Sequence, residues 1–279
     1  MGYCNHTPYK RYRLERPDWE EGYTEFINLT NPSPWEYDFQ INGENSKSDY
    51  ESSFLSLLVF SKLFTRTQND EKKLKIELYT DYYSINVEKE GKSIQFLFDV
   101  MNNHKKGHQP HTRAIKSEYI KETEELNFNK IYHTIANFAP IPRTVIAGKK
   151  GPKLQFIHNN LNESWTLFLK YLRDNWKIYP TEIHDFFSFE KYMQYSCQHM
   201  YYKELFDSLY KIQSETPNNW NRLFLELDNV EIKENDVLIS FDELYINGNK
   251  DEIMDVDNKI CFLIELRGRY ILHKLKIQS

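Results

Sequence analysis

The chain has 279 residues, 40% of them hydrophobic and 28% charged, with a formal net charge of −5 and only 9 glycines and 10 prolines. That balance excludes a disordered or collagen-like chain, and the negative charge gives no long-range attraction for a polyanion, so general nucleic-acid binding is disfavoured. Rings make up 15% of the residues, enough to build the core largely from Tyr, Phe and Trp.

The first 34 residues hold Pro8, Pro17, Pro32 and Pro34 among scattered charge and read as an irregular arm. They hold no apolar h-region, and no run of about 18 apolar residues occurs in the sequence, so neither a standard secretion signal nor a membrane span is expected. Cys4, Cys197 and Cys261 are odd in number and far apart, which fits reduced thiols and a cytoplasmic location.

Trp35, Tyr37, Phe39 and Ile41 alternate with polar residues, predicting a strand over 35–41. Ser48 and Glu51 have capping-box spacing ahead of Phe54, Leu57, Leu58, Phe60, Leu63 and Phe64, predicting a buried helix over 49–65. The β-branched and aromatic runs of 74–100, broken at Glu90-Gly91, predict an antiparallel meander.

Residues 101–111 read as a loop and 112–126 as a polar helix. A further helix is expected over 129–138, ended by Pro140 and Pro142. AGKKGPK at 147–153 reads as a basic turn and internal hinge. Beyond it, Trp165, Phe168, Leu169, Leu172 and Trp176 repeat at helical spacing, and a second helix is expected from Ser188 to Ile212. The runs at 220–227, 237–239 and 260–277 fit either helix or buried strand, with helix favoured for the last.

Together these elements predict an α+β fold in one domain. A strand-rich part with one early helix (35–146) packs on a helical part (154–279) across the hinge.

Candidate chemistry is sparse. His104, His108 and His111 share one loop, where three imidazoles would suit Zn²⁺ or another divalent cation if the loop wraps around it; a solvated loop is the competing account. Asp228 and Glu231-Ile232-Lys233 have the form of a nuclease carboxylate set, or of a charged edge. The acids Asp251, Glu252, Asp255 and Asp257 lack the Gly and Glu of a calcium loop and read as a helix N-terminal turn. Arg143, Lys149, Lys150 and Lys153 cluster around the hinge, where an anion could dock; a solvated surface is the competing and favoured account. His133 and His199 sit beside apolar residues and read as packing histidines.

The order of features is similar to that of an uncharacterised bacterial domain-of-unknown-function family. The resemblance is carried by Asp38-Phe39, Phe60-Ser61-Lys62-Leu63 at a helix end, the meander, Thr134–Phe138 leading into Pro140-Ile141-Pro142, and Trp165–Arg173. Phe60 replaces that family's Trp, Ala136 its Gly, and its Leu-Pro-Asn-Gly turn is absent at 65–70. The resemblance implies a bacterial cytoplasmic α+β protein, marks Ser61, Lys62, Asn137 and Arg173, and implies no activity.

Three functions remain: a non-enzymatic binding or interaction protein with an unknown protein or small-molecule partner and no cofactor; a metal-dependent hydrolase or nuclease; and an accessory factor of a bacterial defence or mobile-element locus. The first is favoured, because no catalytic spacing is specific and Tyr and Trp suit recognition surfaces.

Overall fold

The computed structural model describes residues 59–60, 62–64, 73–79, 82–100, 135–142, 165–177, 184, 186–241 and 249–276. The strand expected at 35–41 and the helix at 112–126 lie outside them. So do the arm, the loop 101–111 and the hinge.

The architecture is α+β. Four strands, β1 (Lys73–Tyr79), β2 (Tyr82–Lys89), β3 (Lys92–Val100) and β4 (Phe138–Pro142), form one antiparallel sheet in the order β1-β2-β3-β4. The meander is therefore as expected. Its β2–β3 turn is Glu90-Gly91, with φ of 51° and 78° and Lys89 paired to Lys92. Two consecutive positive φ values make the tight hairpin turn whose twist matches that of paired strands. Nothing lies within 4 Å of a Cβ built on Gly91, so glycine serves conformation there and not space. Register pairs Ile85 with Phe96 and Val87 with Ile94, and all four side chains are buried.

The helix expected over 129–138 is corrected at its described end. Ile135–Asn137 form a 3₁₀ turn, and Phe138–Pro142 continue as edge strand β4, pairing Pro140 with Phe98 and Pro142 with Phe96. An edge strand tolerates alternate prolines because their missing N–H groups face away from the neighbour. The Pro140 carbonyl, on that same outer side, accepts the Tyr192 hydroxyl at 2.9 Å.

The helices are α1 (Trp165–Asp174), α2 (Phe189–Tyr195), α3 (Lys203–Glu215), α4 (Trp220–Asn229) and α5 (Lys250–Lys276). Residues 59–60 and 62–64 are also helical, in keeping with the early helix. The α1 stripe is buried as its spacing predicts, and its indoles find acceptors: Trp165 Nε1 donates to Gln198 Oε1 and Trp176 Nε1 to the Phe187 carbonyl, each at 3.0 Å.

The helix expected over 188–212 is two helices. After α2, Cys197 adopts a φ of 52°, His199–Tyr201 form a 3₁₀ turn, and extended Tyr202 bridges to Leu238 before α3 begins. The physical reason is tertiary. Arg267, midway along α5, takes the Ser196 and Cys197 carbonyls that a continuous helix would bond internally. Of the ambiguous runs, 220–229 and 250–276 are helical and 237–239 is extended. Asp251 and Glu252 lie in the first turn of α5, where Asn249 and Glu252 cap each other reciprocally.

Rings join sheet to helices. Phe96 of β3 lies 5.3 Å from Phe64, 5.9 Å from Phe187 and 6.4 Å from Tyr192, and Tyr192 lies 5.1 Å from Trp176. These rings form one cluster at the junction of sheet and helices, and Phe206, Tyr210, Phe241 and Phe262 form a second among the helices.

Candidate functional site

The most constrained polar groups lie inside. In α5 the buried stripe runs Ile260, Leu263, Ile264, Arg267, Ile271 and Leu275, so helical geometry points a guanidinium into the core. Arg267 is fully buried. It donates from Nε to the Cys197 carbonyl at 3.0 Å, from Nη2 to the Ser196 carbonyl at 2.7 Å and from Nη1 to the Ala136 carbonyl at 2.7 Å. Burial lowers its pKa to about 10, still far above neutrality, so the group remains a cation. Its planar donor fork is suited to gathering several oxygens at once.

Around this fork Gln198 Nε2 donates to Ser196 Oγ at 2.8 Å, and Ser196 Oγ donates to the Tyr192 carbonyl at 2.7 Å. Burial pushes the Cys197 thiol up to about 11, against the opposing pull of Arg267, so it is held as an unreactive thiol. Burial draws His199 down to about 4, opposed by the Leu227 and Met193 carbonyls, and its Nδ1 has no hydrogen-bond partner among the described residues. The imidazole is neutral and packs edge-on against Tyr270, centroids 5.4 Å apart. The reading of His199 as a packing residue agrees with this.

From Tyr270 the polar chain reaches the surface between α4 and α5. Asp228 Oδ1 accepts the Tyr270 hydroxyl at 2.7 Å and Lys274 Nζ at 3.0 Å, and Oδ2 lies 3.2 Å from His273 Nε2. Partial burial pushes the Asp228 carboxyl up, but the bonds from Tyr270, Lys274 and His273 outweigh it and leave the pKa below its ordinary value. Phe224, one turn before Asp228, stacks on His273 with centroids 4.5 Å apart.

On its other flank α4 meets α3, where Glu226 Oε1 accepts the Ser208 hydroxyl at 3.2 Å. Between the two contacts α4 turns a face outward: Leu223 and Leu227 are buried, whereas Leu225 is 63% exposed, and Asn221, Arg222 and Asn229 beside it are exposed as well. Leu225 thus stands as a single apolar residue at the centre of the outward face of an amphipathic helix.

The residues singled out from the sequence fare unequally. His104, His108, His111, Arg143, Lys149, Lys150, Lys153 and Ser61 lie outside the described residues. Lys62 is exposed on the early helix, and Asn137 is buried in the 3₁₀ turn that Arg267 holds. Arg173, near the end of α1, donates to the Asp236 carbonyl at 3.0 Å and lies 3.5 Å from Asp174. These three stand on separate elements. Asp228 is engaged by Tyr270, His273 and Lys274, while Glu231 is exposed in the segment after α4. Among the described residues no group of three His, Cys, Asp or Glu is placed to hold a metal ion, and no helix is long and apolar enough to cross a membrane.

Arg267, Gln198 and Leu225 were not anticipated. For Arg267 a signal existed, a lone charge on the apolar stripe of Ile260–Ile271; for Gln198 there was none. In comparisons with known proteins, no family model, no curated protein and no solved structure matches the chain.

Proposed function

We propose that the protein is a non-enzymatic binding protein that meets its partner through the outer face of α4. The observation that carries this reading is Leu225, 63% exposed on a helix whose opposite face buries Leu223 and Leu227. Two further features support it. The buried groups with nucleophilic or basic chemistry, Cys197 and His199, are held in their neutral forms by desolvation. The partly exposed Asp228 carboxylate is tied by donors from α5 into a brace between two helices.

The test is the native size of the full chain in the cells that make it, compared with Leu225→Glu. The expected result is a wild-type complex larger than the 33.7 kDa chain, and a Leu225→Glu protein with the same thermal stability that runs as the free chain. A wild type running as the free chain, indistinguishable from the variant, overturns the reading.

A further inference from the structure

We draw no further inference here: the strongest candidate, the outward face of α4 around Leu225, offers one exposed apolar side chain beside a carboxylate, Asp228, already held by Tyr270, His273 and Lys274 of α5, and nothing in the structure shows what covers it.

Discussion

Arg267 Nη1 donates to the Ala136 carbonyl at 2.7 Å, bridging 131 positions of sequence, while the same guanidinium holds Ser196 and Cys197. One side chain of α5 thus ties the turn before β4 to the break between α2 and α3. Replacing it with Met leaves three buried carbonyls without their donor, each costing about 1–3 kcal/mol. The expected loss for Arg267→Met is about 3–5 kcal/mol, read as a lower urea midpoint at unchanged slope. Arg267→Lys, a single-point donor, should recover only part of it. A midpoint within experimental error of wild type for Arg267→Met would refute the role given to this residue.

Tyr192→Phe keeps the ring among Phe96, Trp176 and Phe189 and removes only the hydroxyl that donates to the Pro140 carbonyl. The loss should be about 1–2 kcal/mol, because a buried edge-strand carbonyl is left without its donor. Hydrogen exchange should quicken in β4 ahead of β1 and β2.

His199 gives stability a distinct pH dependence. Its folded pKa is lowered to about 4 from 6.5, so between those values the unfolded chain binds the proton and the folded chain does not. Its contribution is complete above about pH 6.5 and falls away as the pH drops towards 4, by up to about 3 kcal/mol. The Asp228 carboxyl, also lowered, loses its contribution only below its ordinary value of 3.8. In urea titrations across this range, His199→Gln should flatten the pH 4 to 6.5 segment and leave the more acidic one. An unchanged slope would contradict the buried neutral imidazole.

Glu90 occupies a left-handed position, φ 51°, at the first residue of the β2–β3 turn. Asn accepts that conformation more readily than Glu. Glu90→Asn should therefore stabilise the protein by about 0.5–1 kcal/mol, seen as a raised melting temperature. A drop in melting temperature would mean that the turn is not of the type described.

What the sequence disclosed followed from local rules. The alternation and the Glu90-Gly91 signal sufficed for β1 to β3, and the three-four spacing of Trp165 to Trp176 sufficed for α1. Where tertiary contacts decide, local rules fell short. Phe138–Pro142 has proline spacing that stops a helix, and only pairing with β3 makes it an edge strand. The apolar periodicity of 188–212 runs on as though unbroken, yet Arg267, some 70 positions away, captures the carbonyls at the break. The α4 face was hidden for a different reason. Its helix was ambiguous in sequence, and the exposure of Leu225 has meaning only once 220–229 are known to be helical and one face is known to be buried.

The claim that the outward face of α4 is where this protein meets its partner is tested most directly by the native size of the full chain, wild type against Leu225→Glu. The account predicts a wild-type complex larger than the 33.7 kDa chain that is lost in the variant at unchanged thermal stability. A wild type that runs as the free chain, or a complex that Leu225→Glu leaves intact, would contradict it.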